Sequence, residues 1–494
     1  MRWANFLHIY QPADQSRAIL DAVVNQSYRR IFSGLVDIPS FKLTININGA
    51  LTELLMQSGY SDVVDLIRRL AESGRLEFTE SAMYHAFLPF LKEHEIERQV
   101  RKNHAVNRRY FGSAYAPACF FPPEMAYNER VSRVLQRLGY RMLMLDEVSY
   151  PVRNGSGEIF EKTFRIGDKR HITAVFRERR ISNLIMSSLA RDENTLRNAL
   201  AETAQTDQYL LTAMDGETFG HHRPGLENLL FSIMSSPEPQ QIFVSEIPDI
   251  YPAQQTPIIP REATWATTEK DMERDVQFFS WKDPKNPVHA LQWKFFRFLR
   301  KKLSGSSISR RALDAFDRAS ASDQFYWASA EPWWSIEMIE KGAWNMHAAL
   351  YALSGGRKSD RKQGDELYHA ILAMAFKMQR SGAIEALGKA HRDAVRVPFK
   401  DRTAGSGKPE VYDAVMTMIR RKMEEASAAR NYEKAILWRD AAWKLETKND
   451  IYDAMHAVDL LRQELPDGEL EKLMDTYKEA YKKTLPGQPE SRGH

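Results

Sequence analysis

Short apolar runs alternate with longer amphipathic stretches through the first half of the chain. Trp3 to Ile9, Lys42 to Ile47, Ala118 to Phe121, Arg141 to Leu145, Ile172 to Phe176 and Leu210 to Met214 read as strands. Ile242 to Val244 suggests one more. Between them, Val63 to Leu70, Glu93 to Tyr110 and Val131 to Leu138 carry apolar residues at helical spacing, with Gly74 and Gly139 as stop signals. Strand–helix alternation over roughly 250 residues predicts parallel strands with helical crossovers, closed into a (β/α) barrel. An open doubly wound sheet is the alternative, but no glycine-rich dinucleotide loop follows the first strand.

The pattern changes near Pro284. His289 to Leu303, Ile336 to Leu353 and Leu367 to Met378 have helical periodicity, and Asp323 to Trp334 is dense in aromatics. Arg392 to Pro409, with Gly405 and Gly407, reads as a linker, and a helical hairpin follows. The expected organisation is a barrel over 1–283, a helical domain over 284–391 completing the cleft, and a linker over 392–409. A hairpin over 410–447 and a helix with a flexible tail over 448–494 complete it.

Composition narrows the class. With 494 residues, 43% hydrophobic and 27% charged, the chain has the balance of a soluble multidomain protein. A net charge of +4 with no long basic block does not suggest nucleic acid. The single cysteine, Cys119, excludes an intramolecular disulfide framework and a cysteine-based zinc cluster. No signal-peptide pattern opens the sequence and no apolar run approaches the ~20 residues of a membrane span, so a cytoplasmic location is expected.

Polar residues punctuate the strand ends. His8, Glu77, Glu124, Asp146 and Asp215 each fall at or just past a predicted strand C-terminus, and a barrel brings those ends to one face. Glu124 and Asp215 could flank one bond, one as nucleophile or base and the other as acid. Glycoside hydrolysis needs such a pair with neither metal nor organic cofactor. The 10 Trp, 19 Tyr and 24 Phe also suit sugar rings. Metal-dependent hydrolysis through His8, His85, His221 and His222, or a non-catalytic scaffold, remain the alternatives, although no H-E-x-x-H pattern occurs.

Ordered motifs over roughly residues 1–350 resemble glycoside hydrolase family 57. His8-Ile9-Tyr10-Gln11-Pro12 is similar to the family's opening motif, with Tyr10 in place of the second histidine. Gly74 to Phe78, followed by Tyr84-His85, resembles the second motif, and Phe121-Pro122-Pro123-Glu124 the third. Asp215-Gly216-Glu217 with Gly220-His221 resembles the fourth, and Asp323 to Trp327 the fifth. The resemblance implies a distorted or incomplete (β/α)7 barrel, followed by an α-helical domain and the C-terminal hairpin. It also implies a retaining amylase or 4-α-glucanotransferase acting on α-1,4-glucan, with Glu124 as nucleophile and Asp215 as general acid/base. Retention calls for carboxyl groups about 5–5.5 Å apart. His8, Tyr10, Glu77 and His85 are then expected to bind the sugar or orient the pair. Glu217 and His221 are expected to position Asp215. Trp327, Trp333 and Trp334 are candidate stacking platforms, and neither metal nor cofactor is implied. A catalytically silent glucan-binding or assembly protein on the same fold is the rival reading.

The hairpin has its own signature. Tyr432-Glu433-Lys434-Ala435 and Trp438-Arg439-Asp440 resemble the UVR hairpin of excision-repair and protease-adaptor proteins. That likeness implies a protein partner or a second copy of the chain through residues 410–447.

Overall fold

The computed structural model describes residues 1–151, 157–167, 171–188, 190–204, 206–303, 308–353, 357–388, 409–447, 460–461, 472–473, 475–477 and 479. All but the last residue of the expected linker 392–409, and most of 448–494, lie outside the described residues. By its contacts the chain forms two compact units, Met1–Lys389 and Ala390–His494.

Among the described residues, ten strands organise the first unit: β1 (Arg2–Ile9), β2 (Leu43–Ile47), β3 (Leu76–Phe78), β4 (Cys119–Phe120), β5 (Met142–Asp146), β6 (Thr163–Ile166), β7 (Ile172–Arg177), β8 (Tyr209–Asp215), β9 (Gln240–Ile242) and β10 (Ala253–Ile258). One sheet has the order β3-β2-β1-β8, all parallel, with β9 on the first residues of β1. The other has the order β10-β6-β7-β5-β4, in which β6 runs antiparallel to β7. Together β1, β2, β3, β4, β5, β7 and β8 trace a ring of parallel strands, a distorted and incomplete (β/α)7 barrel.

The ring has two seams. Between β3 and β4 the backbone of Glu80 bridges, accepting from Phe121 N at 2.8 Å and donating to Cys119 O at 2.9 Å. Between β7 and β8 no ladder forms among the described residues, and the two strands share one backbone bond, Glu178 N to Leu211 O at 2.8 Å. The barrel is not closed by continuous pairing.

Side-chain alternation fills both faces of the ring. Ala4, Phe6, Phe121, Met144, Val175, Leu211 and Ala213 meet inside. Leu7, Ile45 and Met214, one residue out of phase, face the surrounding helices. The helix Ser61–Glu72 shows the logic: Val63, Val64, Ile67 and Leu70 form its buried stripe. It stops at Ser73, where Gly74 takes a left-handed φ of 72° that an L side chain rarely adopts. Fully burying one such Val, Ile or Leu contributes about 1.5–3 kcal/mol.

The helices Pro287–Lys302, Arg310–Arg318, Ile336–Tyr351 and Lys358–Ser381 pack onto the second sheet through a shared apolar cluster including Phe164, Phe176, Trp293 and Phe325. In the second unit, helices Pro409–Ala428 and Tyr432–Thr447 close on each other through Ile419, Trp438 and Leu445. No described helix is long and apolar enough to cross a membrane.

Candidate active site

Glu124 follows β4 on a forced turn. Pro122 and Pro123 fix two φ angles and leave no N–H there to pair, which ends the strand after Phe120. Glu124 and Met125 then adopt left-handed φ of 63° and 49°. Such conformations cost roughly 1–3 kcal/mol each and persist only where the surroundings over-determine them. Here Met125 N donates to Pro122 O at 2.8 Å, and Trp265 N donates to Glu124 O at 3.1 Å. The indole of the same tryptophan donates Nε1–H to Glu124 Oε2 at 2.9 Å. One residue thus fixes both the backbone and the carboxyl group of Glu124.

Asp215 is held differently. It ends β8, in register with His8 on β1, so both side chains rise from the C-terminal rim of adjacent parallel strands. Glu217 in the next turn accepts from the Tyr10 N–H at 3.1 Å, Gln11 Nε2 at 3.2 Å and the Tyr28 hydroxyl. Gly216 between them is obligatory on space, because a Cβ there would sit 2.4 Å from Ile9 Cγ2.

Burial sets the electrostatics. It pushes Glu124 up to about 8, with Asp215 adding repulsion and the Trp265 N–H opposing the rise. It pushes Asp215 up to about 6, against the pull of the Arg177 guanidinium. Glu217 is driven to about 7 by burial and then by Asp215. Glu124 and Asp215 titrate as a coupled pair that holds one proton near neutral pH. Between about 6 and 8 that proton rests on Glu124, so the form with Glu124 ionised and the proton on Asp215, which acid–nucleophile chemistry would use, is the minor form of the singly protonated pair.

A sequence comparison matches residues 8–231 to the family described as Glycosyl hydrolase family 57. This segment belongs to that family. Alpha-amylase 1 of Dictyoglomus thermophilum is 18% identical over 144 residues, covering 29% of this chain and 21% of that protein. Among solved structures, the 4-alpha-glucanotransferase from Thermococcus litoralis aligns with TM-score 0.57 and 16% identity, over 72% of this chain and 59% of that one. The GH57-type branching enzyme from Pyrococcus horikoshii aligns with TM-score 0.53 and 14% identity, over 76% and 94% of the two chains. At these identities the structural likeness concerns the fold. The chain spans about a fifth of the amylase and three-fifths of the glucanotransferase.

Within the family 57 domain, other expected residues lie at varied distances from the pair. His85 is close, with Nδ1 3.9 Å from Glu124 Oε1, and its own φ of 52° is left-handed. A polar chain runs from Ser322 Oγ to His85 Nδ1 (2.9 Å), from His85 Nε2 to His8 Nε2 (3.1 Å), and from His8 Nδ1 to Asn46 Oδ1 (2.9 Å). Both imidazoles spend both nitrogens inside the protein. Burial lowers His8 to about 4 and His85 well below its usual range, so both are neutral. Tyr10 stacks on His85 at 4.1 Å and donates to Asp323 Oδ2 at 2.5 Å.

Glu77 lies two residues deeper in the barrel register than the His8–Asn46 pair. Its carboxyl accepts from Thr44 Oγ1 at 2.7 Å and from Ser245 N and Oγ at 3.1 and 2.5 Å. Half-buried His221 bonds Gln26 Oε1 at 2.7 Å. Trp333 is 49% exposed and tilts against Trp327 at 5.5 Å, whereas Trp334 packs against the apolar core of the helices. Among the described residues, no group of three or more His, Cys, Asp or Glu is disposed to hold a metal ion.

Three contributors were not singled out from the sequence: Trp265, Asp323 and Arg177. Asp323, pushed to about 6 by burial, adds repulsion at Glu124. It also lines a cavity of about 130 Å³ with Tyr10, Asp14, Tyr84 and Lys341. Its place in the fifth motif was the available signal. Trp265 sits in an irregular stretch with no periodicity, and Arg177 looks like an ordinary strand end.

Proposed function

We propose that this chain is a retaining enzyme on α-1,4-linked glucan, a hydrolase or a transglycosylase. Glu124 is the nucleophile and Asp215 the general acid/base. The observation that supports this most is Glu124 itself: a partly buried, left-handed carboxylate clamped by Trp265 and electrostatically joined to Asp215 on the strand-end face. Natural selection for packing alone gives no reason to place a strained carboxyl there.

In the first displacement the Glu124 carboxylate attacks the anomeric carbon. The C–O bond breaks and the Asp215 proton passes to the leaving oxygen. In the second, Asp215 takes a proton from water or a sugar hydroxyl. That oxygen attacks the same carbon and frees Glu124. The first displacement spends the single proton and the second returns it, so the resting charge is restored after one turnover.

The test is an assay of wild type, Glu124→Gln and Asp215→Asn on maltoheptaose, amylose and pullulan. Loss of about 10³-fold or more in Glu124→Gln, and about 10²–10⁴-fold in Asp215→Asn, is expected. Products longer than the substrate signal transfer, and simple shortening signals hydrolysis. A wild type silent on all three glucans would overturn the reading in favour of a binding or assembly protein.

A further inference from the structure

The seam beside β8 lacks a ladder, and side chains supply what the missing strand bonds would have given. Ala213, two residues before Asp215, receives Arg177 Nε on its carbonyl at 2.7 Å, and its N–H donates to Ser182 Oγ at 3.1 Å. Arg177 Nη1 donates to Asp146 Oδ2 at 2.9 Å and Nη2 to Asn183 Oδ1 at 2.8 Å. The guanidinium is buried, and Asp146 is fully so. A single planar fork therefore ties the ends of β5, β7 and β8 and the helix Arg179–Met186 into one unit.

We propose that Arg177 is a positioning residue for Asp215, substituting for strand pairing along the open edge of β8 and fixing where the proton-transfer group stands. This rests on the assignment of Asp215 as the acid. No bond joins Arg177 to Asp215. The influence runs through the Ala213 carbonyl and through the field of a buried cation. The charged groups bearing on Asp215 from its neighbours are Glu124 beyond β4, Glu217 in the following turn, and Arg177 backed by Asp146 and Arg179. Arg177 is the cation that opposes the rise at Asp215.

The experiment compares Arg177→Lys with wild type on two substrates. Maltoheptaose has a sugar alcohol leaving group that needs a proton. A 2,4-dinitrophenyl α-maltooligoside departs as a stable phenolate and does not. If Arg177 places the acid, kcat/KM on maltoheptaose falls about 10²-fold, the loss a displacement near 1 Å can cause. The aryl substrate is then affected less than about threefold. A neutral double variant, Arg177→Met with Asp146→Asn, retains charge balance and provides a second soluble protein. In it the acid limb of the maltoheptaose profile, set by Asp215 as the lower of the pair, moves to higher pH, because the cation that lowered Asp215 is gone. Equal losses on both substrates, or no loss on either, overturn the proposal. A wild type that cleaves neither substrate overturns the functional reading instead.

Discussion

The two seams of the ring are built on opposite charges. At the β3/β4 seam, Glu80 is fully buried and accepts from Asn103 Nδ2 (2.6 Å), the Tyr115 hydroxyl (3.0 Å) and the Tyr140 hydroxyl (2.9 Å), with His104 Nδ1 at 2.9 Å. At the β7/β8 seam, Arg177 is the buried hub. Glu124 lies just past a strand bordering the first seam, and Asp215 just past a strand bordering the second. The first seam also has a backbone bridge on both sides of Glu80, whereas the second leans on side chains. The Glu124 side of the ring is thus braced by backbone and is the stiff one, and the Asp215 side, which leans on side chains, the adjustable one.

Removing Glu80 is the largest way to break that contrast. Glu80→Ala takes the carboxylate acceptor from the buried Asn103 amide and Tyr115 hydroxyl and from the half-buried Tyr140 hydroxyl, at about 1–3 kcal/mol for each group left unsatisfied. We expect a loss of about 3 kcal/mol or more, a fall in Tm of roughly 4 °C for a unit spanning Met1–Lys389. Thermal unfolding checks it. If Glu80→Ala unfolds no earlier than Arg177→Lys, the two seams are energetically alike and the contrast fails.

A smaller effect should follow at the clamp on Glu124. Trp265→Phe retains a flat ring but deletes the Nε1–H bond to Glu124 Oε2. The bond favours the ionised carboxyl, so its loss raises Glu124 further above the usual carboxylate range. Activity requires one proton on the pair. It falls on the acid side when both groups are protonated, and on the alkaline side when both are ionised. Wild type should therefore peak between about 6 and 8, and Trp265→Phe should move the alkaline limb, which Glu124 sets as the higher of the two, to higher pH with kcat/KM about tenfold lower. An unshifted limb would detach Trp265 from the chemistry. The same raised value has a stability counterpart: the folded state holds the Glu124 proton more tightly than the unfolded chain. Stability thus declines as pH rises from about 4.5 towards about 8, and Glu124→Gln should flatten that decline.

Much of this was legible in the sequence, and the reasons for the remainder are physical. The strands β1, β2, β5, β7 and β8 are apolar runs buried on both faces, so each announces itself locally. Asp215 was readable because it ends such a run. Glu124 was readable only through the two prolines before it. By contrast β10 is mostly exposed and contains Pro257, and β6 is four residues long, so neither carries a periodic signal. Glu80, Arg177 and Trp265 act across separations of 23 to 141 residues, counting Glu80 to Asn103 and Glu124 to Trp265. Their partners are chosen by the topology of the ring, which local pattern does not encode.

The smallest expected effect concerns Tyr10, where the family motif has histidine. Tyr10→Phe would leave the stack on His85 and remove one bond, the hydroxyl to Asp323 Oδ2. That bond favours the ionised Asp323 and opposes the burial that, with the bond in place, pushes it to about 6. Without it Asp323 rises further and is neutral over more of the working range. Asp323 is also among the charges that repel ionisation of Glu124, so neutralising it should let Glu124 ionise more easily. The alkaline limb of kcat/KM then moves to lower pH, opposite to Trp265→Phe, with a change of only a few-fold at the optimum. A shift in the same direction as Trp265→Phe would mean that Tyr10 reaches Glu124 through ring packing rather than through Asp323. The stiffness of the nucleophile's side would then come from the Tyr10–His85 stack and not from charge.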